Sequence, residues 1–178
     1  MRHERGDGYG AVAKGLHWLV VALLVAQFAL AWTMPDIQRG TKPEGLIAWH
    51  LAVGTTILAI AVIRIAWGLT YPIPLLTEGV PPWQRLAARA THVLLNLLLI
   101  ALPLMGWANA SARGWSVRLF GVMPLPALTA VDSPLGRAMG DIHVTTTWIL
   151  LGVAGLHVAA ALYHHFLRRD GVLRRMLP

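Results

Sequence analysis

Two histidines stand fourteen residues apart on one apolar stretch of this 178-residue chain, His143 and His157. Fourteen residues is close to four turns of an α-helix, about 40° short of a whole number, so both imidazoles leave the same face. Along the axis they are roughly 21 Å apart, most of the ~30 Å hydrocarbon depth of a bilayer. Two more histidines lie near the starts of other apolar stretches, His17 and His50. Neutral imidazole is a good ligand for iron, and helix bundles build cofactor sites from inward-facing side chains. One helix with ligands at two depths, met by a histidine from each of two neighbours, suits axial ligation of two stacked b-type haems. With both axial positions of each iron filled by histidine, the chemistry is electron transfer rather than oxygen binding. Tetrahedral zinc wants three or four clustered ligands, which pairs so far apart do not supply.

The elements that must position these residues follow from composition. The chain is 56% hydrophobic and 13% charged, against about 25% charged in a soluble domain. Its mean hydropathy is +0.58. Four apolar segments, at about 16–34, 46–69, 86–108 and 142–167, are each long enough to cross a bilayer as a helix. The expected fold is all-α: one integral membrane domain over 1–178, a four-helix bundle with haems between the helices. Pro103 falls inside the third segment and predicts a kink that neighbouring helices tolerate. The first segment has basic residues ahead of it and an Ala29-Leu30-Ala31 triplet like a leader-cleavage site. Its apolar run exceeds a usual leader core, so it reads as a span.

There is no cysteine, which excludes disulfides, iron–sulfur clusters, thiol catalysis and covalent c-type haem attachment. The formal net charge of +7 does not point to nucleic acid, because the basic residues gather at segment ends and in tails. Ten Lys and Arg fall on one side: Arg2, Arg5, Lys14, Arg64, Arg85, Arg89, Arg168, Arg169, Arg174 and Arg175. The other side has five: Arg39, Lys42, Arg113, Arg118 and Arg137. The positive-inside rule then predicts cytoplasmic N- and C-termini for a multi-pass protein of a bacterial inner membrane. Trp18, Trp32, Trp49, Trp67, Trp83 and Trp107 fall near span ends as an aromatic belt does.

Chain direction assigns depth. His17 pairs with His157 on the cytoplasmic side, and His50 with His143 on the outer side. Small residues near the ligands, Gly54, Gly152 and Gly155, would let a macrocycle approach the backbone. The third connection, about 109–141, is long enough to cap the outer face. Several residues admit two readings. His92, with Asn96 one turn on, is a propionate or quinone contact or a helix-packing residue. Arg64 is a propionate partner or a snorkelling anchor. His164 and His165 are interfacial residues or take a substrate or proton role. Thr145, Thr146 and Thr147 offer hydrogen bonds across helices, and the Arg168–Arg175 run reads as a solvated tail attracted to anionic lipid.

The residues GLHWLV at 15–20, WHLAVG at 49–54, YPIP at 71–74, THVLLNLLLIALPLMG at 91–106 and the block from Asp141 to Pro178 resemble the bacterial cytochrome b561 family. The last block is the most specific, with its spaced histidines, its His164-His165 pair and its D-x-x-L-x-R-M-x-P ending. The resemblance covers nearly the whole chain. It implies a di-haem four-helix membrane cytochrome in which His17, His50, His143 and His157 bind two non-covalent haem b groups. It also implies electron exchange with quinone and, in one branch, oxidation of superoxide, an oxidoreductase of superoxide:quinone type. Its alternative is an anchor subunit relaying electrons between quinone and a partner dehydrogenase or periplasmic protein. An anionic donor would be steered by positive charge, yet the five outer cations face Asp36, Glu44, Asp132 and Asp141, leaving +1 on that side.

Overall fold

A computed structural model describes residues 9–71 and 81–177. Arg2, His3, Arg5, the Pro72-Ile73-Pro74 motif and Pro178 lie outside the described residues. Four long helices follow in order: α1 Ala11–Thr33, α2 Gly45–Thr70, α3 Pro82–Ala112 and α4 Pro134–Tyr163. A single π-helical turn, His164–Arg168, continues α4 and ends on Arg169 in the left-handed region (φ 54°). Between α3 and α4 a two-stranded antiparallel hairpin pairs β1, Arg118–Leu119, with β2, Met123–Pro124.

The helices outrun the apolar segments, α4 by eight residues and α3 by four at each end. Hydropathy measures hydrocarbon depth, whereas a helix runs on until its backbone is capped. At α4 the cap is Ser133, whose side chain accepts from the Gly136 N–H, with Pro134 in the first helical position. Helix α3 likewise has a proline, Pro82, in its first helical position, but no side chain caps it. The non-helical connection between α3 and α4 is accordingly shorter than its apolar boundaries suggest, about 113–133 rather than 109–141.

Each helix is long and apolar enough to span a membrane, and most of its outward surface is hydrophobic. Val25, Leu69 and Leu156 are 68%, 84% and 64% exposed, which lipid tolerates and water does not. Packing runs α1 on α2, α2 on α3 and α3 on α4. The core is aliphatic, with Val20, Ile57, Ala61 and Leu99 in one cluster and Leu98, Leu102 and Leu150 in another. Leu24 of α1 touches both clusters, so it ties the helix pairs together.

Helices α3 and α4 are in close contact at their hairpin end. A Cβ on Gly136 would lie 2.7 Å from the Ala112 Cβ, and one on Gly140 would lie 2.5 Å from the Asn109 Nδ2. These two glycines form a Gly-x-x-x-Gly step, the small-residue spacing that lets membrane helices touch backbone to backbone. The Asn109 amide donates to the Gly136 and Arg137 carbonyls, both at 3.2 Å, and seals the contact. Thr145 and Thr147 bond instead to carbonyls of their own helix, Asp141 and His143, because a helical hydroxyl reaches back one turn more easily than across to a neighbour.

The connection after α3 is sewn over this end of the bundle. The Trp107 indole N–H donates to the Pro126 carbonyl, the Thr129 hydroxyl donates to Ala108, and the Thr55 hydroxyl of α2 donates to Arg118. We refer to this as the cap end, and to the opposite end, where α1 begins and α4 finishes, as the terminal end.

Candidate functional site

At the cap end, His50 of α2 faces His143 of α4 with ring centroids 6.2 Å apart and ring planes at 79°. The cleft between them is lined by Gln27, Gly54, Pro103, Gly106, Trp107 and Val117, among others. His143 is held by its Nδ1, 3.0 Å from the Leu102 carbonyl. That carbonyl requires an N–H, so Nδ1 carries the proton and Nε2 is left with its lone pair for an acid. Gly106 makes this possible, since a Cβ there would sit 3.3 Å from the His143 Cε1. The ring thus lies flush against α3 beside the Pro103 step.

His50 is held differently. The Gln27 amide nitrogen of α1 lies 3.1 Å from the His50 Nε2 and donates to the His50 carbonyl, also at 3.1 Å. Gln27 did not emerge from the sequence reading, although a carboxamide inside an otherwise apolar span was a signal for it. Gly54, expected to admit a macrocycle, in fact makes room for this amide: a Cβ there would lie 3.3 Å from the Gln27 Nε2. A Cβ on Gly152 or Gly155 would meet no protein atom within 4 Å.

At the terminal end, His17 of α1 faces His157 of α4 with centroids 6.4 Å apart and planes at 69°. His92 of α3 packs edge-on against His157 at 5.2 Å, making a cluster of three imidazoles. Arg64 of α2 is half-buried within electrostatic reach of all three rings and of the Tyr9 hydroxyl. No carboxylate pairs with it among the described residues. Burial raises the Tyr9 phenol above its ordinary value, while Arg64 and Arg175 pull it back.

The tail after α4 is not a free solvated strand. It folds back on the start of α1, with the Trp18 indole donating to the Met176 carbonyl at 2.8 Å and the Tyr9 N–H to Arg175 at 3.3 Å. His164 binds the Asp170 carboxylate, which also takes the Val172 N–H and lies 3.6 Å from Arg168. Aromatic and backbone partners near the membrane edge outcompete solvation of this short turn. Partial burial acts to raise the Asp170 carboxyl, but the His164 bond, the Val172 N–H and the nearby positive charge outweigh it and hold it below its ordinary 3.8.

The charges at the cap end are also partly spoken for. Arg137 pairs with Asp132, and Arg113 bonds the Asn109 Oδ1 and lies over the Trp115 ring, 5.5 Å from its centroid.

The pair geometry bears on what the rings can hold. Metal–imidazole bonds run about 2.0–2.1 Å, so two rings ligating one ion from opposite sides place their centroids roughly 6 Å apart. Both facing pairs meet this spacing, whereas His92 and His157 are too close to ligate one ion from opposite sides. The donor set, two neutral nitrogens at each of two depths in an apolar bundle, suits haem iron. The free lone pair on the His143 Nε2 suits a metal ion, and the Arg64 cation, paired with no carboxylate among the described residues, suits a ligand with acidic substituents.

Fold and site together define a class, a four-helix membrane protein with opposed imidazole pairs stacked across the bilayer. The chain belongs to the prokaryotic cytochrome b561 family, whose model matches residues 8–178. It is 31% identical over 176 residues to cytochrome b561 homolog 2 of Escherichia coli K12, covering 96% of this chain and 92% of that protein. It is 32% identical over 174 residues, 96% of each chain, to a protein of Yersinia pestis named a probable superoxide oxidase, CybB. A cytochrome b562 of Cereibacter sphaeroides is 24% identical over 177 residues, 96% of this chain and 95% of that one. The protein is therefore a multi-pass bacterial membrane protein that binds haem b and transfers electrons.

Proposed function

We propose that this chain carries electrons across the membrane between a donor at the cap end and membrane quinone, with superoxide as the donor. The observation that carries the transmembrane part is the pair of opposed imidazole couples at two depths of α4. The superoxide part is supported by the name of the Yersinia pestis relative. The 10:5 division of Lys and Arg supports a cytoplasmic terminal end and a periplasmic cap end.

In this reading His50 and His143 hold the outer haem, and His17 and His157 the inner one. Haem iron, when bound, supplies one-electron redox chemistry and leaves the protein to supply position and field. The Leu102 carbonyl fixes the His143 ring with a lone pair on its free nitrogen. Arg64 offers a charge-assisted hydrogen bond to an acidic substituent of the inner haem, which compensates a cation otherwise costly to keep inside a bilayer. Leu150, midway between His143 and His157 on α4, packs with Leu98 and Leu102 in an aliphatic cluster between the two couples.

The test is haem quantitation with reduced-minus-oxidised spectra on the wild type and each His→Ala variant, followed by rapid mixing with superoxide. The expected outcome is two b haems per chain. His17→Ala and His157→Ala should each lose one haem, and His50→Ala and His143→Ala the other. Superoxide should reduce the purified protein without a partner. Retention of both haems by the His143→Ala variant contradicts the pairing. Dependence of reduction on a co-purifying dehydrogenase would instead make the chain a relay subunit.

A further inference from the structure

The connection after α3 does more than roof the bundle: its contacts carry it back down along the helices. Its two ends lie at the outer level of the cap, where the Asp132 N–H donates to the carbonyl of Ala112, the last residue of α3. Between those ends the chain descends. The indole that donates to the Pro126 carbonyl belongs to Trp107, five residues or about 8 Å back along α3. A Cβ on Gly121 would lie 3.6 Å from the Ala52 Cβ. Ala52 is seven residues into α2, about 10 Å from Gly45 and deeper than His50. The Thr55 hydroxyl reaches back to the same level, donating to the Ala52 and Arg118 carbonyls at 2.9 and 3.0 Å.

The turn at the bottom of this excursion suits hydrocarbon better than water. From Leu119 to Val131 the sequence has no charged residue, and the hydroxyl of its one polar residue, Thr129, is already bonded to Ala108. Phe120, Val122 and Met123 are exposed at the tip, Val122 to 75%, more than Val25 on the outer face of α1. Phe120 stands at φ 53° and Gly121 at 74°, inside a turn closed by the Val122 N–H on the Leu119 carbonyl at 3.0 Å. Turns of this kind in water favour Asn or Asp ahead of the glycine, because left-handed backbone strains a bulky side chain. Here a phenyl ring takes that place. The backbone is also sparing of open polar groups: β1 pairs with β2, the Leu125 N–H donates to the Val117 carbonyl at 2.9 Å, and Pro124 and Pro126 bring no N–H. Unpaired backbone groups are what keep irregular chain out of a bilayer. Arg118, at the root of the turn, has no carboxylate partner among the described residues. Its long stem lets the guanidinium rise from apolar surroundings to a phosphate.

We propose that the Arg118–Met123 turn is a membrane anchor, inserted beside α2 into the leaflet at the cap end. Phe120, Val122 and Met123 lie among acyl chains, and Arg118 binds a phospholipid phosphate. The buried Val117 just before the turn lines the cleft of His50 and His143, so the anchor steadies one wall of that cleft from the lipid side. The assignment depends on the four spans and not on which histidines hold haem.

The experiment is spin-label accessibility in proteoliposomes of phosphatidylethanolamine and phosphatidylglycerol that hold the purified holoprotein. The chain has no native cysteine, so Val122→Cys, Met123→Cys and Val131→Cys each carry a single nitroxide. Molecular oxygen concentrates in hydrocarbon, whereas a nickel chelate, equilibrated across the vesicles by freeze–thaw, stays in water. The ratio of oxygen to nickel collisions should be severalfold higher at positions 122 and 123 than at 131, which lies at the outer level beside Gly114. Equal ratios at the three positions overturn the proposal, because the turn then stands in water. Weak collision with both reagents at 122 and 123 overturns it as well, because protein, a second copy or another chain, then covers the tip. Each variant is first matched to the wild type in haem content, and if Val122→Cys falls short, Met123→Cys decides.

Discussion

His92 shows how closely ring spacing decides a role. Its ring centroid lies 5.2 Å from that of His157, about an ångström nearer than His17 does, and too near for the two rings to ligate one ion from opposite sides. It supports the terminal-end cluster as a packing neighbour. His92→Ala should therefore keep both haems, measured by haem content per chain, with a small shift confined to one band. Loss of a haem in that variant would move His92 into the ligand set. The four facing histidines were legible in the sequence because the 3.6-residue period and chain direction assign both face and depth. Gln27 and Gly106 were not, since their importance lies in which ring each one meets from another helix.

At the scale of elements, the α3–α4 contact depends on two missing side chains. Gly140→Val would drive atoms into Asn109, and overpacking of that kind costs about 1–3 kcal/mol. We expect a lower thermal midpoint in detergent and preferential loss of the outer haem, because Gly106, Asn109 and His143 share that seam. The opposite end is held by charge. Since the folded state depresses the Asp170 pKa, its contribution is present above the unfolded value of 3.8 and is lost as pH falls through the folded one. Hydrogen exchange of the 170–177 turn should then be faster in Asp170→Asn than in wild type at pH 6. The two should converge only in acid below the depressed folded-state pKa. A persistent difference there would place the clamp elsewhere. Apolar runs announced the four helices, but their ends were set by Ser133, by first-position prolines and by a π turn, local chemistry that hydropathy averages away.

For the molecule as a whole, the side from which the donor arrives follows from orientation in the membrane. The absence of native cysteine makes it directly measurable. Val131→Cys, at a 64% exposed position of the cap, should react with a membrane-impermeant maleimide added to intact spheroplasts. Leu167→Cys, 71% exposed at the terminal end, should react only after lysis. The reverse pattern would invert the proposed topology and with it the side from which the donor arrives. The cap end also lacks a simple positive surface, since Asp132 already pairs with Arg137 and Trp115 carries Arg113. Steering of an anion there must come from the remaining cations.

The sequence by itself determined that this is a four-span bundle, that its histidines occupy two depths, and which histidine belongs with which. Those properties depend on composition and helical period, and both are local. Only the tertiary structure decided how each ring is held. The Leu102 carbonyl under His143, the Gln27 amide beside His50, and Arg64 among three imidazoles each join helices distant in the chain. The same holds for the tail folded onto Trp18. Hydrogen bonds and charge contacts of that kind depend on which faces the packing brings together, and no periodicity within a single segment encodes the partner.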